Sequence, residues 1–154
     1  MSSWKRSGSG RSSYDDIPEG VRSMLLFIGR ILIAVLFLRS GIDKLLDPQS
    51  FADSMENMGM PYAYPLSLVA AGVEVLGGLA LILGFWTRLA ATGLLVFTLL
   101  ATIIAHRYWL APAEVQALQQ ILFMKNVAII GGLFALIAGG SGGASLSAAL
   151  GNRR

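Results

Sequence analysis

The sequence has 154 residues, of which 55% are hydrophobic and 14% are charged, whereas ordinary soluble domains carry roughly 25% charged residues. Its mean hydropathy of +0.64 is more than a soluble domain of this length can bury, so the composition excludes a soluble enzyme and predicts an integral membrane protein. The absence of cysteine excludes disulfides, thiolate zinc sites and cysteine-bound iron–sulfur clusters. The single histidine, His106, excludes bis-histidine haem ligation within one chain.

Residues 1–20 are rich in Ser, Gly and basic residues and lack an apolar pattern, so they predict a disordered tail without a secretory signal peptide. Each of the four apolar runs that follow approaches the ~20 residues with which a helix crosses the hydrocarbon core, and none alternates as a strand would. The sequence predicts an all-α protein, with an antiparallel bundle of four transmembrane helices over residues 21–140 and a flexible tail over residues 141–154. The apolar runs lie at about residues 23–41, 65–85, 89–105 and 120–138.

The loop between the first two spans predicts a short helix. Asp47 suits an N-cap, Pro48 suits the first helical position, and Gly59 suits the C-terminal cap. Apolar side chains recur at helical spacing between these caps, at Phe51, Met55 and Met58. This pattern is typical either of an amphipathic helix lying in the outer membrane interface or of a loop helix packed on the bundle. In the next loop, a polar helical pattern from 113 to 120 is expected to lead into the fourth span.

Lysine and arginine residues are distributed unevenly between the two ends of the spans. Only Lys44 and Arg107 lie on the side opposite the termini, among Asp43, Asp47, Asp53, Glu56 and Glu114. The positive-inside rule therefore predicts a multi-pass protein of the cell inner membrane with both termini in the cytoplasm. The basic pI of about 9.6 reflects this topology and contact with membrane lipid, and no nucleic acid partner is expected. The basic residues on the side of the termini are Lys5, Arg6, Arg11, Arg22, Arg88, Arg153 and Arg154.

Ionisable side chains within or next to the apolar runs are the candidate ligand or proton sites. An ionised side chain at the membrane centre costs at least ~2.5 kcal/mol on insertion scales, so such residues face the bundle interior, find a partner or serve a function. At ~1.5 Å per residue, Glu74 lies near the midplane. No metal site is expected. The candidates are Glu74, Arg39, His106, Lys125, Asn126, Arg30, Asp43 and Lys44.

Each candidate also has a structural interpretation. Glu74 is expected to meet Arg39 or Lys125, either as an ion pair that sets the helix register or as a ligand or proton site. Arg39 and Asp43 are spaced i, i+4 and could pair on one helix face. Arg30 is expected to extend towards the cytoplasmic surface.

His106 and Lys125 mark the outer half of the third and fourth spans. His106 lies near the outer interface, where a wetted histidine and a functional one are equally compatible with the sequence. Lys125, with Asn126 beside it, lies inside the fourth span, where a solvated face is unexpected.

Small residues at four-residue spacing indicate close helix contacts in the second and fourth spans. The same spacing serves packing within the bundle and formation of a homo-oligomer, and within-bundle packing is the simpler interpretation. These residues are Gly72, Gly77, Gly78, Gly84, Ala128, Gly131, Gly132, Ala135 and Gly139.

The order of these features resembles the DoxX/DoxD-like family of small bacterial and archaeal membrane proteins, over about residues 25–140. The resemblance implies a four-helix inner-membrane protein. It also implies kinship with subunits of quinone-linked oxidoreductases, including a thiosulfate-oxidising one, and with oxidative-stress complexes. The resembling residues are Arg30, Ser40–Leu45, Asp47-Pro48, Phe51, Gly59–Pro61, Glu74–Leu79, Leu83-Gly84, Thr87-Arg88, His106, Lys125-Asn126 and Gly131-Gly132.

Three functional hypotheses follow. In the first, the chain is a membrane subunit of a quinone-linked redox or oxidative-stress complex, and Glu74, Arg39, His106 and Lys125 surround a quinone head group in the outer half of the bundle. In the second, it is a non-catalytic assembly or anchoring subunit whose glycine-rich faces bind other membrane subunits. In the third, it is a small transporter or proton pathway, which would require an oligomer. If the chain is catalytic, it acts within a quinone-linked oxidoreductase complex.

Overall fold

A computed structural model describes residues 17–151. The described chain is helical and contains no strand, which confirms the all-α prediction, and four of its helices are long and apolar enough to cross a membrane. A single turn of 3-10 helix, Tyr108–Leu110, precedes the fourth long helix. The α-helices are α1 (Glu19–Leu46), α2 (Pro48–Asn57), α3 (Ala63–Leu83), α4 (Thr87–Ala105), α5 (Ala113–Gly139) and α6 (Leu146–Gly151).

Helix α1 has 28 residues and extends beyond the apolar run at both ends. It ends at Leu46 because Pro48 disfavours the α conformation at the residue before it, and Asp47 adopts φ −140° and ψ 72°. The extra turn carries Asp43 and Lys44 past the apolar run. Helix α5 has 27 residues and joins the polar stretch 113–120 to the fourth span, as predicted.

The caps of α2 are those predicted from sequence. The carboxylate of Asp47 accepts the backbone N–H of Ser50 at 3.1 Å. At the other end, Gly59 has a φ of +79° and donates to the Glu56 carbonyl at 2.8 Å, and Met60 donates to the Met55 carbonyl at 3.1 Å. This is a Schellman motif. The inner face of α2 is buried against the start of α3 through Ala52, Met55 and Ala63, so α2 packs on the bundle.

Glycines allow the helices to approach closely. A Cβ on Gly78 of α3 would lie 3.2 Å from the Ala34 carbonyl oxygen of α1, and a Cβ on Gly77 would meet Leu94 of α4 at 2.8 Å. In α5, Ile33 and Leu26 of α1 fill the space that a Cβ would take at Gly132 and Gly139. At these four positions glycine serves packing within the bundle. The core that they border contains Ala34, Phe37, Leu81, Ala91, Leu94, Leu95, Leu133 and Leu136.

A tight turn joins α3 to α4. Gly84 has a φ of +65° and donates to the Leu81 carbonyl at 3.2 Å, while Phe85 donates to the Ala80 carbonyl at 3.0 Å. Trp86 also adopts a left-handed conformation, with φ 44°. The turn therefore places the first residues of α4 beside the last residues of α3.

The chain after α5 returns to the end of the bundle. The Ser147 hydroxyl donates to the Gly84 carbonyl at 2.8 Å, and the Ala144 N–H donates to the Ser23 hydroxyl at 3.1 Å. The composition predicted a flexible tail over residues 141–154, whereas the described part of this segment includes α6 and contacts the bundle. The sequence does not show these contacts, because backbone and hydroxyl groups make them without any apolar periodicity. Residues 1–16 and 152–154 lie outside the described residues, with most of the predicted N-terminal tail and five of the basic residues used to predict topology.

Candidate functional site

Charged residues divide the described bundle into two ends. The acidic end comprises the α1–α2 and α4–α5 connections and carries Asp43, Asp47, Asp53, Glu56 and Glu114. The Arg-rich end comprises the start of α1, the α3–α4 turn and the chain after α5, and carries Arg22, Arg30 and Arg88 with one acidic residue, Glu19.

A buried ion pair lies between α1 and α3. The ammonium nitrogen of Lys44 is 2.7 Å from Oε2 of Glu74, and the two side chains are 12% and 6% exposed. The Ser40 hydroxyl donates to Oε1 of Glu74 at 3.1 Å and accepts from Lys44 at 2.6 Å. The expectation that Glu74 pairs with Arg39 or Lys125 is wrong, since its partner is Lys44. Ser40, which was not among the candidate ligand or proton residues, completes the site, which we call the Glu74 cluster (Ser40, Lys44 and Glu74).

The local sequence of α1 explains this arrangement. Ser40 and Lys44 are spaced i, i+4 and so project from the same face. Between them, Gly41 lies against α3, where a Cβ would be 3.0 Å from the Glu74 Cβ and 3.1 Å from the Ala71 carbonyl oxygen. Glycine therefore brings α1 close enough for the lysine to reach the carboxylate. Glu74 is about 16 Å along α3 from Ala63 at ~1.5 Å per residue, near the middle of the helix, as predicted.

Two cavities adjoin the Glu74 cluster. A polar cavity of about 300 Å³ opens at the acidic end and is lined by Ser40 and Lys44. An apolar cavity of about 330 Å³ lies between α2, α3 and α4. Phe51 lines both cavities, and its ring centroid is 4.7 Å from the Lys44 ammonium. Ala70, one turn from Glu74 on α3, lines the apolar cavity, so Phe51 and Ala70 lie between the cluster and this apolar chamber, which the cluster residues themselves do not line.

The apolar cavity is lined almost entirely by aliphatic and aromatic side chains. Three methionines contribute to it, and these unbranched thioether side chains adapt to ligands of irregular shape. The lining residues are Phe51, Met55, Met58, Met60, Leu66, Val69, Ala70, Phe97, Leu100, Ala101, Ile104 and Ala105.

The other predicted charges of the outer half do not join the Glu74 cluster. Arg39 and Asp43 form the predicted i, i+4 pair at 3.1 Å, but their side chains are 76% and 49% exposed, so the pair lies on the outer surface of the bundle. Lys125 is exposed and borders a shallow cavity between α1 and α5. These residues differ from expectation because they lie on helix faces that turn away from α3.

Asn126 and His106 connect α4 to α5. The Asn126 amide donates to the Thr102 hydroxyl at 2.9 Å. Nδ1 of His106, at the end of α4, lies 2.9 Å from the Gln119 side-chain oxygen. Neither residue contacts the Glu74 cluster in these hydrogen bonds, and both hold the acidic end of the α4–α5 pair together. Among residues 17–151, no three His, Cys, Asp or Glu side chains form a group that could hold a metal ion.

Arg30 is fully buried at the Arg-rich end. Its side chain extends towards that end, as expected, but the chain after α5 covers it, and Nη2 donates to the Ala144 carbonyl. Its Nε and Nη1 atoms have no hydrogen-bond partner among the described residues. The guanidinium also lies over the Phe27 ring, with a distance of 5.6 Å to the centroid. Arg30 is therefore a buried cation far from the Glu74 cluster.

Comparison with known proteins places this architecture in a family. The DoxX family profile matches residues 25–107, from α1 through α4. The chain is similar to the inner membrane protein YphA of Escherichia coli (strain K12), with 31% identity over 81% of this chain and 89% of that protein. It is also similar to the inner membrane protein YqjF of the same organism, with 33% identity over 79% of this chain and 88% of that protein. No solved structure matches. A multi-pass helical protein with these similarities belongs to the DoxX family of inner-membrane proteins.

Proposed function

We propose that this protein is a quinone-binding membrane subunit of a redox or oxidative-stress complex, and that the Glu74 cluster is its polar site. The observation that carries the proposal is a buried acid–base pair whose lysine lines a polar cavity and contacts Phe51, a residue that also lines the apolar cavity. An ionised pair within a membrane span costs free energy, so its presence indicates a role in packing or in function. The sequence resemblance to a family in which some members are subunits of quinone-linked oxidoreductases also supports the proposal.

The residues of the cluster suit a quinone head group. Lys44 supplies the N–H donor for a quinone oxygen, because its third N–H makes only a 3.5 Å contact with the Ser40 carbonyl, and Glu74 accepts and returns a proton. Reduction of a quinone to a quinol takes two electrons and two protons. In this proposal a partner redox subunit supplies the electrons, and protons reach the cluster through the polar cavity, which Asp43 and Asp47 also line.

The apolar cavity suits the hydrophobic part of the same ligand. Ligand sites are typically lined by apolar and aromatic groups with a few polar groups that fix orientation. Here Phe51 and Ala70 bring the chamber to the edge of the cluster. A quinone ring placed there has its oxygen towards Lys44 and its isoprenoid tail towards the lipid between α2 and α4.

The proposed topology sets which side of the membrane exchanges protons with the site. The Arg-rich end is proposed to be cytoplasmic, with both termini, because Arg22 and Arg88 lie there. The polar cavity then opens to the opposite side. The redox partner would contact the acidic end or the adjacent membrane, where the cluster is accessible.

Quinone titration of the purified protein tests the proposal. A short-tailed quinone is titrated into the protein in detergent by calorimetry, and quinone that co-purifies is quantified by chromatography of an organic extract. We expect saturable binding by the wild type, at least ~10-fold weaker binding by Ala101→Phe, which fills the apolar cavity, and a similar loss in Glu74→Gln. The matched control is Glu114→Gln, the same change at an exposed carboxylate of the acidic end that lines neither cavity, and it should bind quinone like the wild type.

Two results would contradict the proposal. Absence of saturable binding by the correctly folded wild type excludes a quinone site in this chain. Binding that Ala101→Phe and Glu74→Gln leave unchanged, with both variants folded, places the quinone elsewhere on the bundle.

A second candidate function is a non-catalytic assembly subunit, and one observation favours it. A Cβ on Gly72 or Gly131 would meet nothing within 4 Å, so these two glycines of the predicted small-residue pattern are not used inside the bundle. Small residues on open helix faces permit contact with other helices or with a second copy of the chain. Gly131→Leu in α5 should then reduce the size of the native complex in blue native electrophoresis. The control is Gly29→Leu, at an open position of α1 that is not part of the small-residue pattern, and it should leave the size unchanged.

A further inference from the structure

The Arg-rich end contains a cavity that the proposed quinone site does not use. Its volume is about 650 Å³, and it lies between the first turn of α4 and the chain that follows α5. Its lining includes Thr87 and Arg88 from α4 and Gly140 and Ser141 from the loop after α5. The cavity is therefore at the opposite end of the bundle from the Glu74 cluster.

The first turn of α4 faces this cavity with unused backbone donors. The helix begins without a side-chain cap, and the Ala90 N–H is bonded to the Trp86 carbonyl at 3.0 Å. The N–H groups of Thr87, Arg88 and Leu89 precede that bond and so have no carbonyl partner within the helix. Such N–H groups, together with the helix dipole, favour an anion.

The hydroxyl of Thr87 supplies an independent indication of a ligand. Thr87 is 3% exposed, and its Oγ1 has no hydrogen-bond partner among the described residues. The other threonines of α4 donate to the carbonyl four residues earlier, as Thr98 does to Leu94 at 2.7 Å. Thr87 is the first residue of the helix, so no carbonyl of its own helix lies four residues earlier. A buried hydroxyl without a partner is costly, and an acceptor bound in the cavity would satisfy it.

Arg88 adds a charge that no acidic residue in the described part of the chain neutralises. Neither ion pair within residues 17–151 includes Arg88. Its Nε and Nη2 atoms lie 3.6 and 3.7 Å from where a Cβ of Gly140 would be, and Gly140 has a φ of +73°. Glycine at this position therefore keeps the loop surface clear beside the guanidinium. With Arg22 and buried Arg30 nearby, the described part of this end has an excess of positive charge.

The surroundings of the cavity point to a lipid as the source of the anion. Trp86 is 64% exposed and stacks on Phe85 with the ring centroids 5.1 Å apart, and tryptophan is enriched at the level of lipid head groups. Leu89, the next lining residue along α4, is 63% exposed. An anion bound by Arg88 thus lies level with head groups, beside an apolar helix face on which acyl chains pack.

We propose that this cavity binds the phosphate of an anionic phospholipid, held by the Arg88 guanidinium, the Thr87 hydroxyl and the first N–H groups of α4. A phosphate oxygen accepts several donors at once, and arginine binds it through two parallel N–H groups. The uncompensated charge of this end favours a lipid with net negative charge over a zwitterionic one with the same phosphodiester. This site is independent of the quinone proposal.

Lipid titration followed by native mass spectrometry tests this site. Delipidated full-length protein is titrated with phosphatidylglycerol or phosphatidylethanolamine of identical acyl chains. We expect the wild type to bind phosphatidylglycerol about 10-fold more tightly, and Arg88→Gln to lose most of that preference. Thr87→Val, which keeps the side-chain shape, should weaken phosphatidylglycerol binding several-fold. Arg107→Gln, the same charge change at an exposed position of the acidic end, is the matched control and should keep the wild-type preference.

Further measurements separate the possible outcomes. Thermal unfolding of each variant in lipid-free detergent shows whether a loss of binding reflects a loss of fold. Arg88→Lys, which keeps the charge, should retain part of the preference in a folded protein. Equal binding of the two lipids by the wild type, or an unchanged preference in Arg88→Gln, overturns the proposal. Displacement of phosphatidylglycerol by equimolar inorganic phosphate or glycerol phosphate overturns the lipid assignment and identifies a site for soluble phosphate.

Discussion

The Glu74→Gln substitution tests how the buried ion pair contributes to the bundle. In the wild type the Lys44 ammonium contacts Glu74 Oε2 at 2.7 Å and the Ser40 hydroxyl at 2.6 Å. Glutamine keeps the shape of the side chain but removes the charge, so Lys44 remains buried without a counter-ion. Breaking a buried pair in this way costs about 3–5 kcal/mol of the free energy of unfolding. Because the Lys44 side chain is only 12% exposed, solvent screening cannot remove most of that cost.

A double variant distinguishes a lost counter-charge from lost packing. Lys44→Met removes the orphaned ammonium while keeping an unbranched side chain over Phe51. Glu74→Gln with Lys44→Met should therefore recover much of the loss, as for other buried pairs replaced by apolar groups. Lys125→Met removes an exposed lysine from α5 and serves as the matched control, since it should recover nothing. Asp43→Asn, at the exposed Arg39 pair, should change the free energy of unfolding by less than ~1 kcal/mol.

The measurement is the free energy of unfolding in mixed micelles with increasing denaturing detergent, followed by circular dichroism. A Glu74→Gln protein within ~1 kcal/mol of the wild type would refute the reasoning, because it would mean that the pair is hydrated. Recovery by Lys125→Met in place of Lys44→Met would show that the partner of Glu74 has been misassigned.

Three further predictions concern the Arg-rich end and the topology. Gly84→Ala places a Cβ at φ +65° against the buried Arg30 guanidinium and should destabilise the protein by more than ~2 kcal/mol. Gly72→Ala, in open space within α3, should stabilise it by up to ~1 kcal/mol. Thermal unfolding measures both variants, and equal effects would contradict the close contact between Gly84 and Arg30. Deleting residues 141–154 removes the carbonyl acceptor of buried Arg30 and should lower the free energy of unfolding by about 1–3 kcal/mol. Unchanged unfolding of the truncated protein would contradict this. Alkaline phosphatase fused at Asn57 should be active and the same enzyme fused at Trp86 inactive, and the reverse pattern would invert the proposed orientation.

Local sequence was sufficient to predict the helices of the fold. Four apolar runs of span length specify helices in lipid, since a helix satisfies its own backbone hydrogen bonds. The caps of α2 follow from single residues, because Asp47 and Gly59 act through their own side-chain and backbone geometry. The depth of Glu74 follows in the same way from helix rise alone. These properties depend on neighbours along the chain, so no tertiary information is required to predict them.

Which face of each helix is buried was decided by the tertiary structure. Arg30, Ala34, Phe37 and Gly41 form the buried stripe of α1, and Lys44 continues it at the same three- and four-residue spacing. Arg39 lies off this stripe and therefore faces outwards. The sequence placed Arg39 within the first apolar run and Lys44 just beyond it on the outer side, but an apolar helix in lipid has little amphipathicity to show which side meets its neighbour.

Contacts between distant segments also required the tertiary structure. Ser40 and Phe51 acquire a role only because Gly41 brings α1 against α3 and α2 folds over the join. The chain after α5 covers Arg30 through a backbone carbonyl, a group that every residue possesses. The sequence by itself determined the spans, the caps of α2, the uneven charge and the membrane class of this protein. The tertiary structure decided the partners of its buried charges, because pairing depends on helix rotation and close approach, which no local pattern in an apolar helix records.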